Sequence, residues 1–147
     1  MATLKFQFDT TLTPEQFIAG LTDFGPGRSK IFRFSTDDFL RVHRQGRTQA
    51  VVTEGSPSLW ERLHYDWSVP TRVVLTTMDS NVWGGRSGHS YTFHPLAGGR
   101  TRLEAVVVRE GRNLKGRLLG LLLGSVGRGT LRNALAAAIA AMEARYA

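Results

Sequence analysis

The sequence predicts an α+β fold in which seven antiparallel strands form one sheet, a long C-terminal helix lies across it, and two short helices separate the first strand from the second. Three observations carry that prediction. Residues 3–9 alternate between apolar and polar side chains and run straight into a helix start. Residues 38–111 read as strand segments cut by short turn sequences. Beyond Leu114 the apolar residues recur at helical spacing among many alanines.

The first strand puts Leu4, Phe6 and Phe8 on one side and Lys5 and Gln7 on the other, the pattern of a sheet with one buried face. Thr13 then stands where a cap is needed, and Pro14 takes the first helical position, where no N–H is required. Gln16 is placed to reach back to the cap, with Leu12 and Phe17 at the staple positions. Phe17, Ile18, Leu21 and Phe24 form the apolar side of this helix, and Gly25-Pro26-Gly27 ends it. A second short helical turn is expected over Arg28–Phe34.

Six strands are expected next, over Phe39–Arg44, Thr48–Glu54, Leu59–Ser68, Arg72–Asp79, Ser87–Leu96 and Thr101–Glu110. Gln45-Gly46, Gly55-Ser56-Pro57, Val69-Pro70, Gly84-Gly85 and Ala97-Gly98-Gly99 separate them. Connections this short favour an antiparallel meander. At the end, Leu131, Leu135, Ile139, Met142 and Tyr146 share one helix face. Upstream, Leu118, Leu121, Leu122 and Ser125 make a second stripe that points elsewhere, so a kink is expected near Gly127–Gly129. A helix of about 30 residues would span about 45 Å, enough to cross the sheet.

At 147 residues with 41% hydrophobic content, the chain fits one domain with one core. It has no cysteine, which excludes thiolate zinc sites, cysteine nucleophiles and redox dithiols. The net charge is +7, and 16 of the 19 cations are arginine, spread from Arg28 to Arg145 without a block. Spread of that kind reads as a surface property, since a nucleic-acid arm concentrates its charge. Met1–Lys5 leads into a strand pattern and not an apolar run, and Leu118–Val126 is too short to span a bilayer. A soluble, cytoplasmic protein without stable membrane insertion is expected.

The local wording then points to a known family. Trp83-Gly84-Gly85-Arg86, the Ser90-Tyr91-Thr92-Phe93 strand, Gly98-Gly99-Arg100-Thr101-Arg102-Leu103 and Arg109-Glu110-Gly111-Arg112-Asn113-Leu114-Lys115-Gly116-Arg117 resemble the second half of small actinobacterial members of the START-like, or SRPBCC, superfamily. The element order is similar to its helix-grip fold across nearly the whole chain. The resemblance implies a curved sheet wrapped around the long helix, with a pocket for an apolar small molecule opening near the two short helices. Polyketide cyclases, hydrolases, lipid carriers and hormone receptors share this fold, so the fold alone does not choose among them.

Strand parity sorts the candidate pocket residues. Leu63, Tyr65 and Trp67 share one face of their strand, with Arg62, His64 and Asp66 on the other. The matching inward residues on the neighbours are Val73, Leu75 and Thr77, then His89, Tyr91 and Phe93, then Leu103, Ala105, Val107 and Arg109. Leu118, Leu121 and Leu122 are expected to close the pocket from the helix. His89 beside Tyr91 is the pair to test as polar pocket groups, with a hydrogen-bonded core histidine as the alternative, and Arg109 is the candidate partner for a ligand carboxylate or phenolate, with an end-of-strand salt bridge as the alternative. Gly116, Gly120 and Gly124 recur every fourth residue, which asks for close backbone packing, ligand space or a mobile helix end. Arg128 and Arg132 continue that stripe.

The histidines are scattered and no Gly-x-Ser-x-Gly elbow occurs, so neither a metal, a cofactor nor a catalytic nucleophile is expected. These readings lead to carriage or binding of a hydrophobic ligand, such as a lipid, polyketide or isoprenoid-like molecule, between sheet and helix. The alternatives are a cyclase/dehydrase using Tyr65, Tyr91, His89 or Arg109, and a basic surface of Arg112, Lys115, Arg117, Arg128 and Arg132 docking on anionic membrane or nucleic acid. No nucleic-acid partner is expected from the leading reading.

Overall fold

The computed structural model describes all 147 residues. Strand β1 (Ala2–Thr10) is followed by helix α1 (Pro14–Leu21) and two single 3₁₀ turns at Arg28–Lys30 and Asp37–Phe39. The strands β2 (Arg41–Gln45), β3 (Gln49–Ser56), β4 (Leu59–Val69), β5 (Arg72–Ser80), β6 (Gly88–Pro95) and β7 (Thr101–Arg109) come next. Helices α2 (Leu114–Leu123) and α3 (Arg128–Ala144) end the chain.

The seven strands form one antiparallel sheet in the order β1-β7-β6-β5-β4-β3-β2. Six of them follow as a meander, and β1 closes against β7 through nine paired residues from Ala2↔Arg109 to Thr10↔Thr101. Pairing the first strand with the last holds the C-terminal helices close to β1, where α2 and α3 both pack. The register of β4 against β5 skips Met78 between Arg62↔Asp79 and Leu63↔Thr77. That bulge preserves the inward direction of Thr77 while Ser80 turns in beyond it.

The start of α1 forms as its sequence dictates. Thr13 Oγ1 accepts from the Gln16 amide at 3.2 Å, and Gln16 Oε1 accepts from the Thr13 amide at 2.9 Å. Leu12 and Phe17 are both buried beneath this box. At the other end of α1, Gly20 sits under the Met142 side chain, so α1 and α3 meet without a spacer.

The C-terminal segment differs from the single kinked helix of about 30 residues expected above. It is two helices, and the break spans Gly124–Gly127. The Ser125 hydroxyl donates to the Leu121 carbonyl at 2.9 Å, and the Gly127 amide donates to Leu122 at 2.7 Å, so the carbonyls at the end of α2 are taken within the turn. Separating the helices lets α2 and α3 turn differently placed faces to the sheet, α2 its glycines and α3 Ala138, Ile139 and Met142.

The core lies between the sheet and the helices. Leu4, Phe6, Val52, Leu63, Val73 and Leu103 reach it from the strands, and Phe17, Leu21, Ile139 and Met142 from the helices. No helix is long and apolar enough to cross a membrane.

Candidate functional site

The covered face of the sheet is built from cross-strand rows. Leu4, Val107, His89, Leu75, Tyr65 and Ala50 stand in register across six strands. Phe6, Ala105, Tyr91 and Val73 form the neighbouring row. Toward the α2 end of the face the rows turn polar. Glu54 and Glu61, directly paired between β3 and β4, carry the inward parity of Val52 and Leu63.

Two carboxylates on one buried face repel unless each is neutralised, and each has its own guanidinium. Arg109 grips Glu61 with both arms, Nη1 to Oε2 at 3.0 Å and Nη2 to Oε1 at 2.9 Å. Thr77 adds a third bond to Oε2 at 2.9 Å. Burial works to raise the Glu61 pKa, but the charge of Arg109, together with the hydrogen bonds from Arg109 and Thr77, holds the carboxyl below its ordinary value. The Arg109 guanidinium also lies over the Trp83 ring, 5.2 Å from its centroid.

Arg28 comes from the first 3₁₀ turn and is buried. Its Nε lies 3.4 Å from Glu54 Oε1, its Nη1 donates to the Asp23 carbonyl at 2.8 Å, and its Nη2 donates to the Tyr65 hydroxyl at 3.1 Å. The rings of Phe24 and Phe32 pack against it at 4.8 Å and 4.5 Å. Tyr65 in turn donates to Glu54 through a short hydrogen bond. Burial and the Glu54 carboxylate push the Tyr65 hydroxyl well above its ordinary pKa, so it remains a donor.

Between these two clusters stand His89 and Tyr91. His89 Nε2 contacts Arg109 Nη2, and a guanidinium only donates, so Nε2 is the acceptor and the ring proton sits on Nδ1. Desolvation first, and the Arg109 charge second, lower the His89 pKa to about 4, which keeps the ring neutral. Tyr91 is pushed up to about 12, chiefly by burial and then by Glu54. Its ring meets Phe17 at 5.2 Å between centroids. Neither the Tyr91 hydroxyl nor His89 Nδ1 bonds to a protein group, yet no sealed side-chain nitrogen or oxygen lacks a partner. Both atoms therefore keep some accessible surface of their own.

The structure gathers most of the residues selected from sequence. Leu63, Tyr65, Leu75, Tyr91, Phe93, Leu103, Ala105 and Val107 belong to one buried cluster, with Trp67 half-buried against it. Thr77 and Arg109 meet on Glu61, and His89 joins that cluster through Arg109. Arg109 thus commits both terminal nitrogens to an internal cluster, Nη1 and Nη2 to Glu61 and Nη2 also to His89.

The helix leucines are a correction. Leu118, Leu121 and Leu122 are 54%, 72% and 51% exposed and do not line the interior. The glycine stripe is the reason. A Cβ on Gly116 would collide with the Val82 carbonyl, and one on Gly120 would come within 3.8 Å of Trp83. Close backbone packing through the glycines turns the opposite, leucine-bearing side of α2 outward.

Sequence reading missed Arg28, Glu54 and Glu61. The two glutamates were within reach of the same parity rule, since Glu61 is two residues before Leu63 and Glu54 two after Val52. Arg28 carried no signal, because a 3₁₀ turn has no periodicity long enough to mark a face.

Two surface grooves lie elsewhere. One, of about 460 Å³, runs between Thr11, Leu12, Gln16 and the end of α3. The other, of about 320 Å³, sits at the β2–β3 turn. Neither is lined by Arg28, Glu54, Glu61, Tyr65, His89, Tyr91 or Arg109. The only carboxylate side chain in the first, Glu143, already accepts from Thr10 at 2.9 Å. No three metal-binding side chains come together.

No family model and no curated protein matches the chain. Solved structures do. The Zhui aromatase/cyclase from Streptomyces sp. R1128 superposes with a TM-score of 0.74 at 14% identity, covering 99% of this chain and 95% of that one. A START superfamily protein from Mycobacterium smegmatis gives 0.70 at 11% identity, covering 99% and 97%. A protein from Thermus thermophilus gives 0.70 at 14% identity, covering 97% and 95%. At these identities the likeness shows the fold.

Proposed function

We propose that this START-like helix-grip chain binds and carries an apolar small molecule bearing one hydrogen-bond-accepting oxygen, held between the sheet and the C-terminal helix. The observation that carries the reading is the pair of free donors, Tyr91 O–H and His89 Nδ1–H, two residues apart on β6 between the Arg28–Glu54 and Arg109–Glu61 pairs. Inward residues at that spacing stand about 7 Å apart, so a carbonyl or hydroxyl between them is within reach of both. Lipids, polyketides and isoprenoid-like molecules offer such an oxygen on an apolar body.

Carriage fits the electrostatics better than turnover. A general base at neutral pH needs a group poised to take a proton. Glu61 and Glu54 are each clamped by an arginine, and His89 already spends Nε2 on Arg109. Polarisation of a ketone by the same two donors is the second reading, an aldol-type cyclase; the lack of a protein partner for either donor favours it over other chemistries.

The test is native mass spectrometry of the purified protein, followed by identification of whatever is extracted from it and by thermal shifts with fatty acids, sterols and aromatic polyketides. A co-purifying apolar ligand and a stabilising shift that Tyr91→Phe weakens about tenfold in affinity are expected. No shift across the panel, or equal affinity in Tyr91→Phe, overturns the proposal. Turnover of a linear polyketone that Tyr91→Phe abolishes would replace carriage by the cyclase reading.

A further inference from the structure

The outward side of α2 and the corner after it remain unused by the interior. Leu114, Leu118, Leu121, Leu122 and Val126 are all more than half exposed, and Val126 reaches 80%. At about 100° per residue, Leu114, Leu118 and Leu121 fall within about 60° of one another, opposite Gly116, Leu119, Gly120 and Leu123. Lys115 lies on one flank of that stripe and Arg117 on the other. Arg128 and Arg132 continue the basic side at the start of α3, stacked over Phe6 at 4.7 Å and Phe8 at 4.9 Å.

Charge decides what this surface meets. Residues 111–142 contain five cations and no aspartate or glutamate. Only Arg112 among them has a carboxylate partner, Asp79 at 3.0 Å. The segment thus holds five of the 19 cations with no acidic residue among them, on the flanks of one apolar stripe. A second copy placed face to face would set like charges against each other. Nucleic acid would leave the leucines unpaired, and no aromatic residue is present in this segment to stack on a base. An apolar stripe with cationic flanks matches a bilayer interface, where the leucines enter the acyl boundary and the cations meet lipid phosphates.

We propose that α2 and the Gly124–Gly127 corner dock on anionic membrane surfaces, lying in the interface without crossing it. The proposal is independent of the Tyr91–His89 site, since it uses none of its residues. The docked helix is also the one held to the sheet end by two glycines, so the surface that meets the bilayer adjoins the polar end of the interior.

Co-sedimentation tests it with vesicles of phosphatidylcholine alone and of phosphatidylcholine with one third phosphatidylglycerol, at low and near-physiological salt. The wild-type chain is expected to pellet with the anionic vesicles and to be released as salt rises. Leu118→Ser/Leu121→Ser should lower partitioning at least about tenfold, because each leucine loses an apolar burial worth roughly that factor. Lys115→Gln/Arg117→Gln should lower it about tenfold on anionic vesicles, each cation contributing roughly fivefold. Met78→Ser, exposed on a different strand, should bind as wild type does. All positions changed are at the surface, and unchanged melting curves verify folding. The proposal is overturned if nothing pellets at low salt or if the double leucine variant binds as well as wild type. It is also overturned if light scattering shows a dimer that the leucine variant dissolves while vesicles remain unbound, or if DNA is bound in place of vesicles.

Discussion

His89 makes a sharp demand on the pH dependence of stability. Its folded pKa of about 4 lies below the ordinary 6.5, because burial and the Arg109 guanidinium both oppose a positive ring. Between those values the unfolded chain binds a proton that the folded chain refuses, so stability falls as pH falls through that window. Each pH unit of the interval is worth about 1.4 kcal/mol, and the loss between about pH 7.5 and about pH 4.5 comes to roughly 2.5 kcal/mol from this side chain alone. Glu61 does not contribute there. Its folded pKa is depressed from 4.5, so its stabilisation is present above that value and is lost only below it.

Urea titrations at about pH 7.5, 6.5, 5.5 and 4.5 measure this, on wild type and on His89→Gln. Glutamine places an amide oxygen near the position of Nε2, so Arg109 keeps an acceptor and nothing titrates. With an m-value of about 1.5 kcal/mol per molar for a chain of this size, the wild-type midpoint should fall by roughly 1.5 M across the range. The His89→Gln midpoint should move by less than about a third of that. Parallel losses in the two proteins, or a wild-type midpoint flat to about pH 4.5, would refute the placement of a neutral, buried imidazole beside Arg109. An independent check is the ¹⁵N spectrum of the ring at neutral pH, which should show the proton on Nδ1.

Three further outcomes follow from the same geometry. Arg109→Met leaves Glu61 buried without its fork and should cost about 3–5 kcal/mol in urea unfolding, whereas Arg109→Met/Glu61→Leu should recover most of that loss. Gly116→Ala should destabilise by at least about 2 kcal/mol, since the Val82 carbonyl occupies the space a Cβ needs, while Gly120→Ala should be neutral or stabilise by up to about 1 kcal/mol. Thr13→Ala should cost about 1 kcal/mol by removing the acceptor for the Gln16 amide. Thermal melts of these variants check the last two, and a destabilised Gly120→Ala would contradict the packing described for α2.

Where one face of an element is buried and the other wet, the sequence showed it. β1 and β4 through β7 each carry an alternation that no helix shares, and their turns are marked by glycine or proline, so strand limits and inward residues were legible together. The end of the chain was less so. Periodicity exposed two apolar stripes in α2 and α3, but not that the glycine side of α2 would be its contact face. Leucine is ordinarily the buried residue and glycine the neutral one, and here tight approach to the Val82 carbonyl reverses them. Arg28 was illegible for a different reason, since only the tertiary placement of its turn carries it beneath Phe24 and Phe32.

The interior glutamates give the strongest argument for how the site works. A carboxylate on the covered face of a sheet costs stability unless it is matched, and two in direct cross-strand register cost more. The chain matches both with guanidinium groups from opposite ends of the sequence, Arg28 from the first 3₁₀ turn and Arg109 from the last strand. That arrangement fixes the wall on either side of Tyr91, whose hydroxyl feels both carboxylates and both arginines and yet hydrogen-bonds to none of them. A hydroxyl kept protonated, held in place by its neighbours and left without a partner is a donor set in advance for an acceptor from outside. Such preorganisation lowers the entropy lost when a ligand binds, and it asks for no proton to move. If the clamps serve that purpose, Glu54→Gln should weaken the ligand affinity and Tyr91→Phe should add little to it, because both act through the position of one hydroxyl. Additive losses in a ligand-binding double-mutant cycle would show instead that Glu54 acts on the fold alone.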